Sequence, residues 1–126
     1  MILLPSQTYM RSYEPKDLAK RKDHLFVVSH VHVHPHKLDE FLLKAATLLP
    51  HCRAEPGNVF ENLYQQTTCG PCVEPDPYAF VWMEEWESEA AFQAHLEAPH
   101  VAAFWESAKD IYDREEQIHT FYGPEF

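Results

Sequence analysis

From Leu25 to Val33 apolar and polar side chains alternate with a period of two, which predicts a strand. Val27, Ser29, Val31 and Val33 share one face; Phe26, Val28, His30, His32 and His34 share the other. Pro35 suits a first helical position, where its missing N–H has no helical partner. Leu38, Phe41, Leu42, Ala45, Leu48 and Leu49 then recur at three- and four-residue steps, one apolar helical stripe that Pro50 is expected to end. Glu55-Pro56-Gly57-Asn58 reads as a turn. Val59–Gln66 and Tyr78–Trp86 read as the second and third strands, with the proline-rich loop Thr67–Pro77 between them. Ser88 is the expected N-cap of a helix reaching about Glu97, before Pro99. Val101, Phe104, Trp105, Ala108, Ile111 and Tyr112 form a further helical stripe, and Glu115–Tyr122 closes as a fourth strand.

The order β-α-β-β-α-α-β, its last two helices acting as one broken segment, is the split β-α-β pattern. It predicts an α+β, ferredoxin-like fold: a four-stranded antiparallel sheet with helices on one face. At 126 residues the chain suits one domain, taken as 24–126, preceded by a polar arm at 1–23 with a helical turn near Lys16–Lys22. Trp82 and Met83, like Leu63 and Tyr64, put large apolar groups on both faces of their strands. Helices cover one face only, so the other is expected to stack on a second copy, giving a homodimer.

Charge narrows the partners. With 20 acidic and 10 basic side chains the formal net charge is −10, which repels phosphate backbones and anionic lipid. Neither nucleic acid nor membrane is expected as a partner, and no apolar run reaches the ~18–20 residues of a membrane span. No signal-peptide pattern is seen at the N-terminus, and three cysteines do not make a disulfide framework, so the expected compartment is the cytoplasm.

The stretch Glu84-Glu85-Trp86-Glu87-Ser88 followed by Ala94-His95-Leu96 and Ala98-Pro99-His100 resembles the signature segment of the antibiotic biosynthesis monooxygenase family, and its wording is similar to quinol monooxygenases. Val31–Phe41 resembles that family's first strand running through proline into an amphipathic helix, and Arg53–Asn58 resembles its Glu-Pro-Gly turn. The resemblance covers Leu25 to the C-terminus. It implies a dimeric α/β barrel with a pocket between sheet and helices, and activities that range from cofactor-free oxygenation of phenols to haem breakdown. The haem-degrading relatives carry Asn in the first strand, Trp at the position of His95 and a haem-ligating His near Trp105. This chain has Ser29, His95 and no such histidine, so haem breakdown is disfavoured.

His95 borders the apolar face of its helix and is the candidate base for a phenolic proton; a structural histidine is the competing reading. Trp86 and Glu84 share a strand face with Trp82 and Phe80, an aromatic wall for a planar substrate in which Glu84 orients His95 or accepts a hydroxyl; the competing reading is core packing, favoured for Trp86, with Glu84 a solvent-facing carboxylate. Asn62 and Tyr64 share a face of the second strand and are candidate hydrogen-bonding groups for a substrate oxyanion, or simply a surface pair. Phe104 is expected as a further wall. His30, His32 and His34 stand on one strand face, where one could enter the pocket or an H-x-H pair could ligate a metal; ordinary amphipathic alternation is favoured and no metal is assigned. Cys69-Gly70-Pro71-Cys72 has the wording of a redox motif but leads into a proline-rich loop and strand, not a helix N-terminus. Cys52 reads as a lone thiol, and His100 as part of the start of the last helix.

No phosphate loop, dinucleotide fingerprint or nucleophile elbow occurs, so no cofactor is assigned. The chain is accordingly read as an enzyme, a cofactor-independent monooxygenase oxidising a planar phenol or quinol with O2. Isomerase or lyase chemistry in the same pocket, and a non-enzymatic small-molecule or metal-binding dimer, are the alternatives.

Overall fold

The computed structural model describes residues 22–66 and 74–123. The arm up to residue 21 and the Cys69–Cys72 motif lie outside the described residues. Strand β1 (Leu25–His32) leads through a short 3-10 turn (Pro35–Lys37) into helix α1 (Leu38–Arg53). Strands β2 (Asn58–Gln65) and β3 (Ala79–Trp86) follow, then helices α2 (Glu89–Leu96) and α3 (Pro99–Ala108), and finally β4 (Gln117–Tyr122). The strands form one antiparallel sheet in the order β2-β3-β1-β4. This is the α+β ferredoxin-like arrangement that the pattern of the chain predicts.

The pleat decides what each strand buries. Along β1 burial alternates, so that Leu25, Val27, Ser29 and Val31 face the helices. Their cross-strand neighbours on β3, Phe80, Trp82, Glu84 and Trp86, are buried with them. Helix α1 lays Phe41, Ala45, Leu48 and Cys52 onto this surface. Phe41, fully buried, meets Phe80, Trp82, Phe104 and Tyr112 edge-on or tilted at ring separations of 5.0–6.4 Å. Burial of a phenylalanine stabilises a fold by roughly 1.5–3 kcal/mol, and each ring pair adds about 0.5–1.5 kcal/mol. A smaller cluster of Leu25, Val27, Trp86 and Phe92 packs at the other end of the sheet.

Helix α1 does not stop at Pro50 but runs on to Arg53. Proline removes the N–H that would reach the Ala46 carbonyl, a loss that usually ends a helix. Here Ala46 and Pro50 are both exposed, so the freed carbonyl faces water. The extra turn buries Cys52 completely and sets Arg53 Nε to donate to the Glu61 carbonyl at 3.0 Å.

Helix α2 is only eight residues long and needs help from its ends and its packing. Ser88 Oγ accepts the Ala91 N–H at 3.1 Å, Glu89 sits in the positive first turn, and Phe92 and His95 are buried. No helix among the described residues lies over the opposite face of the sheet. Phe60, Tyr64, Met83 and Phe121 stand there, each more than 40% exposed.

Candidate active site

The residues with chemistry to offer meet where the two apolar clusters adjoin. A cavity of about 440 Å³, including its open mouth, lies between the sheet and helices α1, α2 and α3. Trp82, Phe92, Phe104 and Val101 give it apolar walls; Glu61, Glu84, His95 and Glu116 give it polar ones.

His95 comes from the last turn of α2 and is 6% exposed. Its Nδ1 lies 2.8 Å from Glu55 Oε2, and its Nε2 lies 3.6 Å from Glu84 Oε1. The indole of Trp86 is tilted against its ring at 4.6 Å between centroids. Burial holds the imidazole below its usual pKa against the pull of the Glu55 carboxylate, so the neutral ring is favoured. With Nδ1–H donated to Glu55, the lone pair stands on Nε2, on the side of Glu84 and the cavity. Glu55 also takes His100 Nε2 at 2.8 Å on the same oxygen. One turn residue thus ties the end of α2 to the start of α3.

That turn is built by Gly57, whose φ of +84° only glycine adopts without strain. Its carbonyl accepts the Glu87 N–H at 2.8 Å, and a Cβ at this position would stand 2.6 Å from Ala91 Cβ. The turn is hydrogen-bonded to the chain just before α2 and lies close to Ala91, which brings Glu55 to His95 from 40 residues away.

Glu61 and Glu84 are directly opposed cross-strand partners on the buried face, 4% and 9% exposed. Burial, and for Glu61 the neighbouring Glu84, push both carboxyls well above the usual carboxylate range. Glu84 Oε1 accepts the Trp86 indole N–H at 2.9 Å, and Glu61 Oε1 accepts from Asn58 at 3.3 Å. Across the cavity Glu116 accepts from the Ser29 hydroxyl and the Trp105 indole; burial raises its carboxyl too. The fully buried Cys52 thiol is pushed up by burial and by Glu61 and Glu55. Two groups of side chains have donor atoms within 4.8 Å of one another, close enough for a common ion: Glu61, Glu84 and His95, and Cys52, Glu55, His95 and His100.

Of the residues singled out from the sequence, His95, Glu84, Trp82 and Phe104 line the cavity, and Trp86 backs His95. Glu84 does not hold the His95 ring; Glu55 does, at the shorter distance. Asn62 and Tyr64 are not brought to this cavity. The β2–β3 register sets Glu61 against Glu84, which turns Glu61 and Leu63 inward and Asn62 and Tyr64 to the uncovered face, where their side chains lie 3.5 Å apart. His30 and His32 stand on that uncovered side as well. His30 meets His119 edge-on, and His32 is bridged by Asp113 at 2.8 Å and Asp76 at 2.7 Å.

A split β-α-β sheet whose helix-covered face holds a buried histidine among aromatic and acidic side chains defines the class: an α+β ferredoxin-like domain with an internal cavity. The chain belongs to the antibiotic biosynthesis monooxygenase family, whose model matches residues 25–107. It is 32% identical over 83 residues to YcnE of Bacillus subtilis, provisionally named a monooxygenase, an alignment covering 66% of this chain and 80% of that one. It is 25% identical over 121 residues to the protein sll1783 of Synechocystis, covering 96% of this chain and 74% of that one. Among solved structures, a conserved protein from Methanosarcina mazei superposes with a TM-score of 0.75 at 21% identity, over 84% of this chain and 98% of that chain. No helix among the described residues is long and apolar enough to cross a membrane.

Proposed function

We propose that this chain is a monooxygenase that oxidises a small planar phenol or quinol with O2, working as a cytoplasmic homodimer. The observation that carries the reading is His95: a buried imidazole, fixed by Glu55 through Nδ1, with Nε2 at an aromatic-walled cavity. A phenol that enters the cavity beside Trp82 and Phe104, whose rings pack edge-on at 5.9 Å, gives its proton to Nε2. The phenolate that results is electron-rich enough to react with O2, which the phenol is not. For a quinol the balance closes on the substrate alone: one ring C–H becomes C–O, the ring leaves as a hydroxyquinone, and the second oxygen atom leaves as water. The substrate supplies every electron that O2 takes. The family and the relative named for a monooxygenase support the reaction class.

Asn62, Tyr64, His30 and His32 stand on the uncovered sheet face. Their proposed role is accordingly in the seam of the dimer, where that face meets its copy and Phe60, Met83 and Phe121 leave water.

The test is oxygen uptake by EDTA-dialysed protein with dihydroxynaphthalenes and anthrones, against a protein-free blank and His95→Ala. Uptake above the blank that the variant loses is expected. Uptake equal to the blank across the panel refutes the oxygenase reading, and turnover that persists without O2 moves the site to proton-transfer chemistry.

A further inference from the structure

We infer that Glu61, Glu84 and His95 form a binding site for a divalent transition-metal ion of the Zn2+, Mn2+ or Fe2+ class. Two carboxyls that oppose one another across neighbouring strands repel once both are ionised, and burial on the covered face removes the water that would screen them. Among the described residues no lysine or arginine forms an ion pair with either carboxyl: Arg53, at the end of α1, attracts Glu61 but donates to its carbonyl and to Asn62 Oδ1 at 3.0 and 3.4 Å. A dication would displace their protons and offset both charges at once.

The geometry fits. The three donor atoms lie within 4.8 Å of one another. His95 Nε2 and Glu84 Oε1 are 3.6 Å apart, too far for a hydrogen bond. Bonds of about 2.1 Å to a shared ion span that distance at about 120°, close to tetrahedral. Each donor group is also held from behind. Glu55 takes His95 Nδ1, which sets Nε2 free to bind; the Trp86 indole holds Glu84; Asn58 and the Cys52 thiol hold Glu61. A carboxylate behind a metal-binding histidine is the usual outer partner in such sites. One imidazole and two carboxylates suit a transition-metal dication rather than a soft ion. Three protein donors with the cavity on the remaining side leave a position open for a small ligand.

The second group, Cys52, Glu55, His95 and His100, shares His95 with this site and would take Glu55 away from the bonds it makes to His95 Nδ1 and His100 Nε2. It also has a consequence for the oxidation, and that clause alone rests on the proposed function: a metal on Nε2 takes the lone pair that the phenol proton needs, so metal and turnover exclude one another.

The experiment is titration of the EDTA-dialysed full chain with Zn2+ by calorimetry and with Co2+ by absorption, with no substrate present. One ion per chain is expected, with visible Co2+ bands of a four- or five-coordinate ion and no thiolate-to-cobalt charge transfer. Glu61→Gln and Glu84→Gln should each weaken binding, and Glu55→Gln should weaken it about 10–100-fold. Cys52→Ser keeps a hydroxyl that can donate to Glu61, so binding and the Co2+ bands should persist. Absence of binding by the parent chain, thiolate charge transfer, or loss of binding in Cys52→Ser would overturn the assignment. The Co2+ spectrum of the parent chain carries the test even where a variant fails to fold. None of these readouts depends on oxygen uptake, so the metal site and the oxidation fail separately.

Discussion

Replacing Gly57 by alanine should damage the fold at the joint that assembles the site. A non-glycine residue in the left-handed region costs roughly 1–2 kcal/mol. The new Cβ would lie 2.6 Å from Ala91 Cβ, whereas carbon atoms rest at about 3.5–4.0 Å, so turn and helix must part by about 1 Å. Overpacking of this kind costs typically 1–3 kcal/mol. A stiffer unfolded chain returns about 0.4–1 kcal/mol. The net loss is roughly 2–4 kcal/mol, a large part of the 5–15 kcal/mol of an ordinary domain. Urea unfolding followed by tryptophan fluorescence measures it, and Ala91→Gly tests its cause. That second change removes the opposing Cβ at a cost of about 1 kcal/mol in helix propensity. The double variant should therefore recover at least 1 kcal/mol of what the two changes cost separately. A loss under 0.5 kcal/mol for Gly57→Ala, or strict additivity in the double variant, would refute the steric account.

Ser88→Ala removes the acceptor for the Ala91 N–H and should cost about 1 kcal/mol, read from the urea midpoint. In sedimentation equilibrium the parent chain should run at twice its chain mass, and Val28→Glu, at the centre of the uncovered face, should run at the chain mass; a monomeric parent would refute the stacking. His32→Ala should lower the urea midpoint at neutral pH and lose that difference in acid. Asp76 is held below the ordinary 3.8 by the Tyr78 N–H and then by His32; Asp113, although burial pushes it up, is held low by His32 and Arg114. Since the folded values lie below the unfolded ones, this stabilisation is complete above 3.8 and disappears as pH falls through the lower folded values. A gap between parent and variant that persists well below that window would sink the argument.

The element order and the face of β1 were legible because Val and Leu mark one side of that strand unambiguously, and α1 because its stripe spans four turns. Strand β2 was not legible in the same way. Each of its faces mixes apolar and polar residues, Val59, Glu61 and Leu63 against Phe60, Asn62 and Tyr64, and a register irregularity falls between Asn58 and Phe60. Only pairing with β3 shows that Glu61 is the inward group. Glu55 was hidden for another reason: Glu-Pro-Gly reads as a turn, and its contact with His95 is created by tertiary packing over 40 residues. A usable signal was the glycine itself, since a turn that needs positive φ also permits close approach of a neighbouring helix.

A sheet that sets two glutamates against each other beneath its helices is working against its own stability, and such conflicts concentrate at functional sites. Glu61→Gln tests whether the conflict is real. The substituted amide keeps the shape, still accepts from Asn58, and turns a donor toward Glu84 where a second acid had stood. A hydrogen bond to a charged group contributes about 1.5–3 kcal/mol, and the repulsion is removed with it. The metal-free variant should therefore unfold at higher urea than the parent chain while binding Zn2+ more weakly. A variant that is less stable without metal would mean that the glutamate pair already shares its charge favourably, and the case for a cation between Glu61 and Glu84 would lose its physical basis.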